Sequence, residues 1–351
     1  MQSQVAHSHR SSGSPGTLPL TQRRWDRDGL AAQADDIFLS APDPLNAELR
    51  CMLDRLQRQG LDLDTVETED CLLAAFAPIV PELRRRLDDG AGVTVLQGLE
   101  MEGLSGDQAG IVAWALANHV GRPLRQGIRV DRKLFTVTNV GAANNDPTRI
   151  GASNKVSRAH SDNGCLEMRP PCYLGLLCAE NAAAGGESTL ISGETVYQVV
   201  ADERPDLLPL FLRPWHFRPP KLHTWPAGPA TIQKPILEIV GDEVRIHYAR
   251  VMIEPGMELA GTPLTDEERE ALDWFDGVLE RPELVWTYAL KPGDYLLTNN
   301  LATLHGRLGF ADEGHHRRVL KRVWMRRRHR APYEDPALLA VDPVANGNQS
   351  L

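Results

Sequence analysis

No stretch of this chain is apolar for long enough to cross a bilayer, and its first residues lack the apolar core of a signal peptide. Both absences predict a soluble, cytoplasmic protein. Cysteine is scarce: Cys51, Cys71, Cys165, Cys172 and Cys178 make an odd number, with no Cys-x-x-Cys pair among them. That argues against a disulfide framework or a cysteine zinc site and reads as reduced thiols. Positive charge is in short supply as well. The 38 Lys and Arg face 47 Asp and Glu, a net charge of −9, so neither nucleic acid nor an anionic membrane is expected as the main partner. There is no internal repeat, which sets aside solenoids and propellers.

What is present is a chain of 351 residues, long enough to bury a sizeable core. Residues 1–24 are rich in Ser, Gly, Gln, His and Pro and are too polar to pack, so a disordered tail is expected, and His7 and His9 within it take no role. Residues 25–330 read as a single domain and 331–351 as a C-terminal extension. Apolar positions at helical spacing predict a helix from Pro44 to Gly60 and a second from Glu69 to Leu87. Val93–Leu96 reads as a strand, Ser105–His119 as a helix with Ser105 near its N-cap, and Lys133–Val140 as a strand.

Gly141 to Val156 has no period and reads as a functional loop. From Tyr173 the chain turns β-rich. Tyr173–Cys178 and Ser188–Ser192 flank a Gly185-Gly186 turn, and a short helix follows at Glu194–Val200. An irregular Pro- and Trp-rich insertion runs from Arg213 to Lys234, then a hairpin spans Ile236 to Tyr248. After an amphipathic helix, Thr265–Leu279, come strands at Leu284–Leu290, Asp294–Thr298 and Arg318–Met325. Many short strands with a helical N-terminal part predict a sandwich or barrel flanked by helices rather than a doubly wound parallel sheet.

His160-Ser161-Asp162 is the only His-x-Asp in the sequence. On an extended backbone residues i and i+2 point the same way, so an imidazole and a carboxylate can face one point. With a distant His they form the 2-His-1-carboxylate face that leaves three positions open on a ferrous ion. Alone, the tripeptide also fits a turn whose Asp caps a backbone amide. Downstream, Pro292-Gly293-Asp294 turns into a strand and His305 is expected just beyond that strand's end. Alternation then puts Arg318, Leu320, Arg322 and Trp324 on one strand face. Arginines beside large apolar residues need anions, and a dicarboxylate would serve both. The run Arg326–Arg330 reads as a solvated end.

The order His160-x-Asp162, Gly185-Gly186-Glu187-Ser188, His305-Gly306-Arg307 and Arg318-x-x-x-Arg322 resembles the taurine dioxygenase-like family. Its wider circle takes in clavaminate synthase-like and γ-butyrobetaine hydroxylase-like enzymes, and the likeness covers about Val93 to Arg326. The resemblance implies a double-stranded β-helix, or jelly-roll, core and a dioxygenase that uses Fe(II), 2-oxoglutarate and O2. By the same likeness His160, Asp162 and His305 would be the metal ligands. Arg318 would hold the distal carboxylate of 2-oxoglutarate, and Arg322 its proximal carboxylate or the substrate. A hydroxyl from Ser188, or from Thr189 beside it, would join Arg318.

A carboxylate at position 162, where halogenases of the family carry a small residue, implies hydroxylation, desaturation, epoxidation or ring closure. The substrate implied is a small polar metabolite, amino-acid- or natural-product-like. Arg158, Asn163, Asn299, Asn300 and Arg307 are its nearest candidate contacts, and the loop at 141–156 and the insertion at 213–234 its candidate lids. His315 and His316 read as loop residues, and His223, His247 and Cys165 as structural; Trp215, Trp225 and Trp274 line a pocket or fill a core. Two other classes stay open on the same fold: a zinc-dependent hydrolase, and a catalytically silent binding protein.

Overall fold

The computed structural model describes residues 21–125, 132–141, 147–162, 170–218, 231–314 and 316–328. The C-terminal extension, the middles of both expected lids, and Asn163, Cys165, His223, Trp225 and His315 lie outside the described residues.

Period-two alternation builds two facing sheets. The larger runs in the order β1 (Phe38–Ser40), β2 (Val93–Gln97), β14 (Tyr295–Asn299), β6 (Tyr173–Glu180), β17 (Val319–Arg326), β3 (Arg122–Leu124), with β4 (Phe135–Thr138) also on β17. Its pairs are antiparallel apart from β1 on β2. The smaller sheet runs β13 (Trp286–Tyr288), β8 (Ser188–Ser192), β15 (Thr303–Arg307), β5 (Ser157–His160). Between the sheets lie Val93, Val95, Leu174, Leu176, Leu296 and Leu320 from the first, with Leu190 and Trp286 from the second.

The outward residues of each sheet meet helices. Leu96, Tyr173, Leu177, Leu297, Val323 and Met325 pack on α3 (Asp43–Arg58), α4 (Val80–Asp88) and α5 (Gly106–Val120). Ile191 and Leu304 join α6 (Gly193–Glu203), α7 (Leu208–Leu212), α8 (Arg250–Leu259) and α9 (Asp266–Leu279). Each large aliphatic side chain so buried contributes roughly 1.5–3 kcal/mol. The result is the expected jelly roll, mostly β with flanking helices. Short helices α1 (Arg27–Ala31) and α2 (Ala34–Ile37) and three two-stranded ribbons complete it. The ribbons are β7 (Ala184–Gly185) with β16 (Phe310–Ala311), β9 (Pro214–Phe217) with β10 (Ile232–Pro235), and β11 (Leu237–Val240) with β12 (Glu243–Ile246).

Several expectations need correction. The helix read from Glu69 to Leu87 is broken into 3₁₀ turns at Thr68–Cys71 and Ala77–Ile79 before α4 begins at Val80. Pro78 and Pro81 lack the N–H that an interior helical turn requires, and sit where helices start. The stretch from Arg213 to Lys234 is not irregular at its ends, which pair as β9 and β10. Helix α8 carries Pro255 in its interior, which hid it from periodicity. Packed chain begins by Thr21, within the expected tail: Thr21 bonds Glu194 and Arg23 pairs with Glu243 at 2.7 Å. Polar partners rather than apolar burial hold it. Nor is Arg326–Arg328 a solvated end. Arg326 and Arg327 are buried, Arg327 pairs with Asp88 at 2.9 Å, and Arg328 donates to the carbonyls of Gly121 and Asn118.

Candidate metal centre and anion pocket

Strand β5 ends at His160, and Asp162 follows in a segment pinned from two sides. Ser161 exchanges hydrogen bonds with the Tyr248 backbone at 2.9 and 3.0 Å. The buried carboxamide of Asn300 accepts from the Asp162 N–H and donates to its carbonyl, both at 2.8 Å, and donates to the Pro171 carbonyl at 3.0 Å. Asn300 therefore fixes the backbone of Asp162 rather than reaching a ligand, and Asn299 donates to the Leu87 carbonyl.

His305 is not beyond a strand end. It sits in the middle of β15, directly across from His160 on β5 and Leu190 on β8. A turn at 300–302 separates it from β14, and β15 begins directly after that turn. The pairing brings the two imidazoles to 4.4 Å between ring centres. The His160 and His305 Nε2 atoms lie 3.8 and 3.9 Å from the Asp162 carboxylate oxygens, and one ligating atom from each residue falls within 4.8 Å of the others. His160 Nδ1 is 2.8 Å from the Arg158 carbonyl, which can only accept. The proton is thus on Nδ1, and the Nε2 lone pair faces the site.

The electrostatics suit a divalent cation. Burial would raise the Asp162 pKa, but Arg322, His305, His160 and a hydrogen bond from Trp324 outweigh it and bring it to about 2. Burial, with His160 adding, drives His305 down to about 3, so both remain in the ligating form at neutral pH. Arg322 Nη1 lies 3.3 and 3.4 Å from the two Asp162 oxygens, and its guanidinium sits between the rings of Phe135 and Trp324. The Trp324 indole donates to Asp162 Oδ2 at 2.6 Å. Alternation had put Trp324 on the face of Arg322, yet nothing local linked either to a carboxylate some 160 positions away.

Arg318 enters from the larger sheet. Its Nε donates to the Gly186 carbonyl at 3.1 Å, while Nη1 is buried with no partner, and burial pushes its pKa down to about 10. It remains a cation, and among the described residues it forms no ion pair. Ser188 stands opposite Arg307 in the β8–β15 register, on the face that carries His305. Thr189 stands opposite Gly306 and turns to the other face. There it lines a cavity of about 470 Å³ together with Arg158, Ile191, Asp276 and Leu279, and Arg307 borders it. The structure thus separates the two hydroxyls: Ser188 faces inward with the triad and Thr189 does not. Arg158 also turns outward, largely exposed, toward Asp276 and Glu280 at 3.9 and 3.7 Å. His247 is buried against Glu238, Trp215 fills the core behind the smaller sheet, and His316 is exposed in a turn with Glu313.

Two imidazoles and one carboxylate on one face suit ferrous iron, and zinc accepts the same donors. Zinc hydrolysis gives no reason for a buried Arg318 that forms no ion pair among the described residues, and a silent binding protein would not need the triad intact. The comparisons agree. Residues 58–324 match the taurine catabolism dioxygenase TauD, TfdA family. FR-33289 synthase of Streptomyces rubellomurinus is 26% identical over 302 residues, covering 84% of this chain and 85% of that one. A taurine hydroxylase-like protein of Stachybotrys chartarum is 25% identical over 280 residues, 75% and 68% of the two chains.

Among solved structures, asparagine oxygenase in complex with Fe(II), hydroxyasparagine and succinate superposes with a TM-score of 0.63 at 19% identity, covering 82% of this chain and 93% of that one. The non-haem iron oxygenase OrfP with Fe and α-ketoglutaric acid gives 0.61 at 15%, covering 82% and 94%. The match to the family spans most of the chain and all the motif positions, so this chain belongs to the TauD, TfdA family and is a non-haem iron, 2-oxoglutarate-dependent oxygenase that uses O2.

Proposed function

We propose that this oxygenase hydroxylates, or oxidises in a related way, an unactivated carbon of a small polar metabolite that is amino-acid- or natural-product-like. His160, Asp162 and His305 would hold the iron, and Arg318 with Ser188 the distal carboxylate of 2-oxoglutarate. When bound, the metal supplies oxygen activation coupled to decarboxylation of 2-oxoglutarate to succinate and CO2. The residues do the positioning. Asn300 and Trp324 orient Asp162, the His160 Nδ1–H bond to Arg158 fixes that ring, and Leu190 and Trp286 help keep water from the space between the sheets. Arg322, stacked between Phe135 and Trp324, stands beside the metal face, where it can meet a carboxylate of either ligand.

The observation that carries the cosubstrate reading is the buried Nη1 of Arg318, which has no partner among the described residues and lies on the same inner face as the triad. The substrate class is supported by relatives solved with 3-hydroxyasparagine and 3-hydroxyarginine. Arg158, Asn163 and Arg307 were the sequence candidates for substrate contact. Arg158 points outward, and Asn163 lies outside the described residues.

The test is succinate release from 2-oxoglutarate with Fe(II) and ascorbate, across a library of amino acids, amines, sulfonates and biosynthetic intermediates. Stimulation by one amino-acid-like compound, with a product heavier by one oxygen or lighter by two hydrogens, is the expected result. Stimulation only by a peptide, a protein side chain or a nucleic acid would overturn the substrate class.

A further inference from the structure

We infer that Arg307 is a second arm of the anion pocket, gripping the distal carboxylate of the dicarboxylate cosubstrate from the sheet opposite Arg318 rather than touching the primary substrate. The inference rests on the reading of Arg318 given above.

Arg307 and Arg318 come from different sheets and meet over one ring. Arg307 ends β15, opposite Ser188 and on the face of His305. Arg318 stands just before β17. Their guanidinium carbons lie 4.8 and 5.6 Å from the centre of the Phe310 ring. Both are removed from water, at 5% and 3% exposure. Among the described residues neither forms an ion pair. Each instead uses part of its guanidinium on a backbone carbonyl that aims the rest. Arg307 Nη2 donates to Lys155, and Arg318 Nε donates to Gly186 at 3.1 Å. What remains on each is a buried nitrogen with no partner among the described residues: Nε of Arg307 and Nη1 of Arg318.

Two like charges sharing a desolvated space, each with an unspent donor, are strongly unfavourable alone. One carboxylate between them reverses that, because its two oxygens can each accept from one guanidinium. The surroundings are shaped to keep Arg318 in place. A Cβ at Gly186 would come within 2.9 Å of its Cδ and Nε, and Gly186 has φ 82°, so glycine is required there on both counts. A pocket with two arginines from opposite walls would select a 2-oxo acid with a distal carboxylate over one that ends in a methyl group. Arg307 also borders the outer cavity beside Thr189. That alternative role makes no demand on 2-oxoglutarate.

The experiment measures anaerobic binding of 2-oxoglutarate and of 2-oxobutyrate, which lacks the distal carboxylate, to the Co(II)-loaded protein by calorimetry. Arg307→Gln, Arg307→Lys and Arg318→Gln are compared with the parent. Arg307→Gln should weaken 2-oxoglutarate by about tenfold or more and leave 2-oxobutyrate unchanged. Arg307→Lys, which keeps the charge, should recover part of the loss. Melting of the ligand-free protein should not fall in Arg307→Gln, since a buried unpaired cation is removed, whereas the upward shift on adding 2-oxoglutarate should shrink. Unchanged 2-oxoglutarate affinity in Arg307→Gln, or equal losses for both oxo acids, would overturn the inference. If Arg318→Gln too left 2-oxoglutarate untouched, the underlying reading of the pocket would fall with it. A loss in Arg318→Gln alone would spare that reading.

Discussion

Asp162 is gripped by three kinds of group: imidazoles on its metal side, the Arg322 guanidinium at 3.3 and 3.4 Å, and the Trp324 indole at 2.6 Å. Outer hydrogen bonds of this sort orient a ligand and set its basicity, and their removal typically lowers metal affinity by about ten- to a hundredfold. Trp324→Phe leaves an aromatic ring and removes the donor. Its Co(II) affinity, read from visible absorption, should fall within that range while the fold persists. Unchanged affinity would reduce the contact to packing. At the proposed ligands, His160→Ala or His305→Ala should abolish both metal binding and turnover with little change in far-UV circular dichroism. Product formation at the parent rate by either variant would remove the ligand assignment. The pairing of His160 with Asp162 was readable as a local His-x-Asp pattern, whereas His305 joined them only through the family resemblance. The Trp324 and Asn300 contacts were not readable, because their partners are distant in the chain.

At the scale of elements, β15 carries the site's most demanding geometry. Its Gly306 leaves no room for a side chain: a Cβ there would sit 2.6 Å from both the Ser157 carbonyl and the Thr189 hydroxyl. One of those contacts is backbone, so the strands must part. Gly306→Ala should cost about 1–3 kcal/mol of stability through overpacking and should also weaken metal binding, since His305 is the next residue. Thr265→Ala is the contrast. Thr265 caps α9 in a reciprocal box with Glu268, and losing that cap should cost about 1 kcal/mol with metal affinity untouched. Equal effects on metal affinity from the two substitutions would show that β15 does not position His305. Helix α5 was legible from Ser105 near its N-cap and α9 from its amphipathic spacing, both signals carried by near neighbours. The Glu69–Leu87 segment was misread because apolar spacing continued through Pro78 and Pro81, which interrupt the helix.

Across the whole molecule, two buried imidazoles, His247 and His305, and the half-buried His119 set an acid limit. Burial lowers the pKa of His119 and His247, and takes His305 to about 3. Each stays neutral in the fold but is free to take a proton once unfolded, below an ordinary value of about 6.5. The unfolded chain therefore binds more protons as pH falls, and stability drops in that direction. The contribution is complete above about pH 6.5 and is lost progressively as the pH falls from there toward the folded-state values. The metal-free protein should melt at a lower temperature near pH 5.5 than near pH 7.5. A flat or rising melting temperature over that fall would mean the imidazoles are not held neutral. Co(II) should raise the melting temperature at neutral pH by mass action, and chelation should reverse it.

Sequence by itself determined what depends on near neighbours. Short apolar runs gave the strands Val93–Leu96 and Tyr173–Cys178, alternation gave Arg318–Met325, helical spacing gave α3 and α9, and the ordered motifs pointed to the family. These are short-range signals, set by side-chain direction over two to four residues. Tertiary structure decided what depends on which faces meet. It put His305 inside β15, turned Ser188 inward and Thr189 outward, sent Arg158 to the outer surface, buried Arg326 and Arg327, and closed Arg307 and Arg318 on Phe310. A one-residue change of register reverses a side chain's face. Strand pairing alone fixes that register, and β15 is distant in the chain from both its partners, β5 and β8.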